Sequence, residues 1–289
     1  MKSYGLPYMG SKNRIAKRII DIIPSCDCFV DLFAGGCAIT HAALLSRKFG
    51  RIICNDFTDT PQLFLRAARG EFNNDTRWVD RETFFREKEK DPYVRLLWSF
   101  GGKGTSYIYH RDKEVPFKQM HELAVRLTLP ETSESISDTN KNLAKDIPVK
   151  YKHIVLNHIA RLHRLQGIYG VPGLDSLTVT QKDYRDVEIP DGAIVYCDPP
   201  YCGTCEYYNA TGFDSRSFFE WVRDNKHPVF VSEYNAPDYL HVVDRWEIRS
   251  LMSATNKTSM CTENLYANDA GISLLRRTKP LLFESATFA

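Results

Sequence analysis

Long apolar runs are missing from this 289-residue chain. The longest are short, such as the one ending in Val229-Phe230-Val231, whereas a membrane-spanning helix needs about 20 apolar residues in a row. No membrane span is expected. The opening residues, Met1 to Pro7, lack the apolar stretch of a secretory leader, which points to the cytoplasm. Charge of one sign is also missing. Lys and Arg total 38 against 36 Asp and Glu, so any surface for a polyanion must be local. Metal-ligand pairs are scarce: of eight cysteines only Cys202 and Cys205 form a CxxC, and no histidine stands at finger spacing. A structural zinc site normally shows two ligand pairs, so no metal is expected and the thiols read as reduced, mostly buried side chains. The full G-x-G-x-x-G fingerprint and a P-loop lysine are lacking as well, which disfavours pyrophosphate binding. No internal repeat or long low-complexity tract is present.

What remains is an ordinary globular balance, 43% hydrophobic and 26% charged. A chain of this length buries a full core without disulfide or metal, as one large domain or as a core carrying an insertion. Cys28 to Phe33 is a short β-type run containing an acid, Asp31, and leading into Ala34-Gly35-Gly36. Ala38 to Phe49 reads as a helix. Arg51 to Asp56 is a second strand, again ending in an acid, 25 positions after Asp31. Strand, glycine turn, helix, strand and acid open a nucleotide-binding α/β fold, and the second acid stands near the spacing of a ribose-binding carboxylate. The alternation resumes with strands at Leu177–Thr180, Ala193–Cys197 and Pro228–Ser232 and a helix over Ser215–Asp224. Trp246–Leu251 and Gly271–Leu275 alternate enough to predict a closing hairpin.

Positions 57–176 separate the second and third of these strands, far more than a crossover needs. We read 72–165 as an inserted domain. It holds the mixed charge run Arg86 to Lys90, the pattern of a solvated helix face, and the glycine-rich Ser99–Thr105 followed by Tyr107 and Tyr109. It also holds a basic stretch over 141–166, where Lys141, Lys145, Lys150, Lys152, Arg161 and Arg164 face Asp146 alone. Thr132–Asn142 is polar enough to predict a mobile loop.

Asp198-Pro199-Pro200-Tyr201 is the sharpest chemical signal. Two prolines remove two backbone donors and stiffen the chain just past a buried strand. They aim a carboxylate, a carbonyl and a ring at the crevice beyond the strand ends, where α/β folds bind ligands. A rigid pair of acceptors suits an exocyclic amino group, leaving its lone pair directed at an electrophile. Such a conjugated nitrogen is a poor nucleophile, so positioning and electrostatics must lower the barrier. Tyr201 can stack on the base that carries the amine. Read alone, the tetrapeptide is also compatible with a surface turn, the glycine turn with any strand-to-helix joint, Asp183 with a turn acid, and Tyr8-Met9-Gly10-Ser11-Lys12 with a helix start capped by Ser11.

Taken in order, these elements resemble the Dam-like DNA adenine methyltransferases, with Val231-Ser232-Glu233-Tyr234 following. The resemblance implies a Rossmann-like methyltransferase core with a mostly parallel sheet over 1–71 and 166–289, and an inserted, largely helical target-recognition domain over 72–165. It implies S-adenosyl-L-methionine as methyl donor and a flipped adenine in duplex DNA as acceptor. It gives Tyr8, Gly10 and Lys12 to the donor's methionine moiety, Asp31, Phe33, Ala34 and Gly35 to the donor loop, Asp56 to the ribose hydroxyls and Asp183 to the donor's adenine amine. Asp198, Pro199, Pro200 and Tyr201 become the catalytic tetrad, with Asp198 also beside the donor. One departure stands out: Cys37 occupies the place of the family loop's last glycine.

For DNA, the candidates are Lys103, Arg111, Lys113, Lys118, Lys141, Lys150, Lys152, Arg161 and Arg164, most of them as phosphate contacts. A DPPY tetrad favours adenine over an N(4)-cytosine acceptor, and the insert favours a large duplex over RNA or a protein side chain. A fold retained without turnover would show a broken tetrad, and a nucleotide oxidoreductase would need the missing fingerprint. No nuclease motif is present, so cleavage would need a separate restriction endonuclease. His153, His158 and His163 recur every five residues, which does not keep one helix face. Trp221 and Trp246 read as core.

Overall fold

Apolar runs that end in acids become the central strands. The computed structural model describes residues 3–8, 10–73, 75, 77–111, 114–128, 149–200, 213–250 and 259–280. Strands β1 (Cys26–Asp31), β2 (Phe49–Asp56), β3 (Leu177–Gln181), β4 (Ile194–Cys197), β5 (Val229–Glu233), β6 (His241–Ser250) and β7 (Ser259–Ala267) form one sheet in the order β3-β2-β1-β4-β5-β7-β6. The first five are parallel, and β7 and β6 close the sheet antiparallel. β4 and β5 are buried along their whole length, as expected for parallel strands covered on both faces. Val30, Leu32, Val195, Val229 and Val231 share one core with Phe218, Phe219 and Val222 of helix α8 (Ser215–Asp224). That helix starts because Asp214 accepts from the amides of Arg216 and Ser217. Helices α1 (Ala16–Ile22) and α2 (Ala38–Ser46) pack on each other, and α2 packs on β2.

The closing hairpin is β6 with β7, whereas Gly271–Leu275 lies inside helix α9 (Asp269–Thr278). Two local features override the alternating reading. Asn268 caps the helix through the Gly271 amide, and Ile272 and Leu275 bury one helical face. Gly271 is needed for the close approach, since a Cβ there would stand 3.0 Å from that of Ala267. Asn268 is fully used. Its Oδ1 accepts from Val229 and Gly271, and its Nδ2 donates to the carbonyls of Val222, Asn225 and His227. Asn268→Ala strands these buried backbone groups, so we expect a loss of about 2–4 kcal/mol, read as a lower urea midpoint.

The chain divides into two compact units. The sheet unit comprises Arg14–Ala34, Ala38–Pro61 and Pro172–Ala289. The other comprises Met1–Asn13, Gly35–Cys37 and Gln62–Val171, so its boundaries are wider than the 72–165 read from the sequence. The N-terminal residues join it through backbone contacts, with Leu6 donating to Gly36 O at 2.7 Å. This unit contains most of α3 (Thr60–Ala68), then α4 (Arg81–Glu87), α5 (Pro92–Leu97), α6 (Glu114–Thr128) and α7 (Val149–Gln166). Its core is aromatic: Trp98, Tyr93, Phe72, Phe84 and Tyr109 are buried. His158 of α7 sits fully buried with its ring 4.5 Å from Trp98. Where the excursion ends, Gly170 N donates to Ala68 O at 3.2 Å. No described helix is long and apolar enough to cross a membrane. The segment 132–142 lies outside the described residues.

Candidate active site

Four adjacent strand ends of the sheet unit carry acids. β1 ends at Asp31 and β2 at Asp56, while Asp183 follows β3 and Asp198 follows β4. The chain runs from β1 outward through β2 to β3, then returns to β4 on the other side of β1. The gap between β1 and β4 is therefore the topological switch point, the place where such sheets bind ligands.

Asp31 is completely buried. Its Oδ2 accepts from Thr40 N at 3.0 Å and Thr40 Oγ1 at 2.6 Å, while Oδ1 is buried with no partner among the described residues. Burial pushes its pKa up to about 7; the Thr40 hydrogen bonds oppose the shift, and the charges of Asp198 and Asp56 add to it. Nothing in the sequence marks Thr40 as the partner of Asp31. It stands on α2, and only the fold brings it back to the end of β1. Asn55 fastens three strand ends: Nδ2 donates to Leu32 O and Lys182 O, and Oδ1 accepts from Thr180 Oγ1 and Lys182 N. Asp56 Oδ1 accepts from the Thr58 amide and hydroxyl. Asp183 is gripped by Arg185, with Nε on Oδ1 and an NH2 on Oδ2, both at 2.8 Å, which holds its pKa below the usual carboxylate range.

Asp198 is half-buried, Pro199 buried and Pro200 half-buried. Beneath them the Tyr196 hydroxyl and Ser232 Oγ lie 2.7 Å apart, and burial raises that phenol well above its ordinary pKa. The Cys197 thiol is raised likewise by burial, so it supplies no thiolate nucleophile at neutral pH. Tyr201 lies outside the described residues. Phe33 turns into the core, with its ring 5.4 Å from Phe218 and 5.3 Å from Tyr184, so its side chain is a packing element. Ala34 N donates to Asn55 O at 2.8 Å.

In the other unit, Gly35 and Gly36 meet Tyr8. A Cβ on Gly36 would stand 2.4 Å from Tyr8 Cβ, and Gly35 has φ +46°. Only glycine fits there. Cys37, in place of the expected glycine, adopts the same left-handed region at φ 59° and is fully buried. For an L-residue this costs about 1–2 kcal/mol. Lys12 is buried in the short turn Lys12–Arg14, and Gly10 has φ 75°. Ser11 does not cap α1, which starts after Ile15 without a side-chain cap.

The candidate DNA contacts separate into two groups. Lys103, Arg111 and Lys118 are exposed. Arg161 instead donates to Leu96 O and Ser99 O, and burial pulls its pKa down to about 10. Arg164 donates to Gly5 O at 3.0 Å and Tyr4 O at 2.6 Å. Both guanidinium groups are committed to the chain's own carbonyls, which argues against a phosphate role. Lys150 lies on α7, and Lys113 and Lys141 are outside the described residues. Tyr107, Tyr109 and Trp246 are buried, while Trp221 packs on the edge of the sheet core.

A seven-stranded sheet in this order, with acids ranged along the parallel strand ends, is a Rossmann-like methyltransferase core. A family model for D12 class N6 adenine-specific DNA methyltransferases matches residues 8–230, more than half of the chain, and the chain belongs to that family. No individual curated protein matches it in a direct sequence comparison. The protein is thus an enzyme that methylates the N6 amino group of adenine in DNA, and it requires a methyl donor.

Proposed function

We propose that the donor is S-adenosyl-L-methionine, and that the acceptor is an adenine in a specific duplex site, rotated out of the helix. The observation that carries the reading is the unpartnered, buried Oδ1 of Asp31 at the switch point. An uncompensated carboxylate oxygen there fits a cationic donor group such as an ammonium. Asp56 fits the ribose hydroxyls, Asp183 the donor's adenine amine, and Tyr8, Gly10 and Lys12 the methionine end that the resemblance gives them. When bound, the donor supplies an electron-poor methyl carbon on a sulfonium.

The chain's own work is to hold the acceptor. In the duplex the adenine amine is paired and stacked, so the base must leave the helix to be reached. Asp198 and the Pro199 carbonyl accept the two amine hydrogens, which leaves the nitrogen lone pair free to point along the line of attack. Proline at 199 and 200 keeps those acceptors from relaxing toward each other. Tyr201 is assigned the stacking face. Charge that develops on the nitrogen is met by the Asp198 carboxylate, and the proton released leaves to solvent. Lys103, Arg111 and Lys118 are assigned to phosphates. We read the recognition function as resident in the Gln62–Val171 stretch, the protein as cytoplasmic, and any accompanying cleavage as the work of a separate restriction endonuclease.

Incubating the purified chain with methyl-labelled S-adenosylmethionine and mixed-sequence duplex DNA, then digesting to nucleosides, is expected to give label in N6-methyl-2′-deoxyadenosine alone. Label in N4-methylcytosine, or none from a folded protein that binds the donor, would overturn the reading. Sequencing the methylated positions gives the recognition site.

A further inference from the structure

A cavity of about 490 Å³ opens within the helical unit, well separated in sequence from every acid at the strand ends. That volume lies in the range of about 300–1,000 Å³ that small-molecule sites occupy. Its lining is largely aromatic. Tyr107, Tyr109 and Phe117 are buried, with Tyr109 stacked on Phe117 at 4.5 Å and the Tyr107 hydroxyl anchored to Val79 O at 2.6 Å. Two rings on its lining, Phe85 and Phe100, are 49% and 69% exposed. Phe100 is carried on the turn before Gly102, where Ser99 and Tyr107 bridge in antiparallel fashion. Large rings left in water beside an open apolar cavity mark a surface that a ligand covers. Arg111, also on the lining, is exposed and makes no ion pair among the described residues, and Lys118 is exposed close by in sequence. Arg81 is already taken, with its Nε 3.7 Å from Glu114 and its guanidinium over the Tyr107 ring.

Flat aromatic walls with an exposed arginine at the edge suit a planar ring attached to an anion. An alkyl chain needs neither the rings nor the cation. The substrate is DNA, whose unstacked bases carry both features. We propose that this cavity holds an unstacked base of the substrate DNA other than the adenine being methylated, stacked on Phe100 and Phe85, with its phosphate at Arg111. The base under methylation is assigned to the Asp198 acceptors, so the occupant proposed for this cavity is a different nucleotide of the same substrate. The proposal rests on the reading that residues 62–171 touch DNA.

The test uses the full chain, duplexes containing the methylated site, and 5-iodouracil placed in turn at each position around the target. Photo-crosslinked peptides are mapped by mass spectrometry. Crosslinks from one position to the peptides bearing Phe85, Phe100 or Tyr107 are expected. Phe100→Ala is expected to bind DNA about 5- to 100-fold more weakly, the scale of one lost base–aromatic stack. Because Phe100 is exposed, its thermal midpoint and donor affinity should match wild type. Crosslinks to this unit but away from the cavity, with wild-type DNA affinity in Phe100→Ala, would overturn the proposal and leave the recognition reading standing. Crosslinks confined to the sheet unit would overturn both. A DNA-free dimer dispersed by Phe100→Ala at unchanged DNA affinity would make the face a protein contact and also refute the proposal.

Discussion

Asp198→Ala should all but abolish methyl transfer, lowering single-turnover rates by about 100- to 1,000-fold, the usual cost of removing one preorganised polar group at a reacting centre. The carboxylate does two jobs that alanine cannot: it accepts an amine hydrogen, and it offsets charge on the attacking nitrogen. Asp198→Asn keeps the shape but turns one acceptor into a donor, so it should be nearly as slow. Donor affinity at pH 8 should change little in either variant, because the buried carboxylate proposed for the donor's ammonium belongs to Asp31. A second readout ties the two acids together. The Asp198 charge helps hold the Asp31 pKa up, so in Asp198→Ala the pH midpoint of donor binding should move to lower pH. A variant that keeps more than a few per cent of wild-type turnover would remove Asp198 as the amine acceptor.

Asp31→Asn is expected to stabilise the free enzyme while weakening its hold on the donor. Burial pushes Asp31 up to about 7 in the folded chain, against about 3.9 for an ordinary aspartate. Between those two values the folded chain binds more protons than the unfolded one, so this group's contribution to stability declines as pH rises and is at its worst above 7. A displacement of that size corresponds to about 4 kcal/mol at pH 8. The asparagine oxygen can still accept from Thr40, and its amide leaves no ionised oxygen buried. The variant's thermal midpoint should therefore exceed wild type by several degrees at pH 8, with the gap narrowing below pH 7 and closing near pH 4, where the carboxyl is protonated in both states. Donor affinity should fall about 10- to 100-fold at pH 8, the weight of a charge-assisted hydrogen bond. In wild type the affinity should strengthen as pH rises through 7, with proton release visible by calorimetry in buffers of different ionisation enthalpy, and Asp31→Asn should lose that dependence. A flat pH profile in wild type would remove Asp31 as the group that meets the donor's cation.

Four of the five parallel strands were legible as short apolar runs that end in or lead into an acid, and β3 by the β-branched alternation of Leu177–Thr180 before Asp183. The acids Asp31, Asp56, Asp183 and Asp198 were legible for the same reason, since they are the polar residues that end or follow those runs. The tail was misread at Gly271–Leu275. Its alternation is real, but a cap at Asn268 and a glycine pressed against β7 fix a helix, and neither is visible as periodicity. The basic stretch hid what Arg161 and Arg164 bind within the chain. Charge can be counted in a sequence, but the carbonyls that a guanidinium finds, here Leu96, Ser99, Tyr4 and Gly5, are set by folding. Thr40 escaped for the same reason, as one hydroxyl among many on an apolar helix. Cys37 shows the converse: the unusual residue was evident, but not that it would bear the left-handed backbone of the glycine it replaces.

The Gly170 amide reaches the Ala68 carbonyl, so the two margins of the long excursion lie side by side. The stretch between them leaves and re-enters the chain at neighbouring backbone groups, as a cassette does. Exchanging the cassette leaves the loop-closure entropy of the remaining chain almost unchanged. On the proposed reading that this stretch recognises DNA, exchanging it would change the target while the chemistry at the sheet stays as it is.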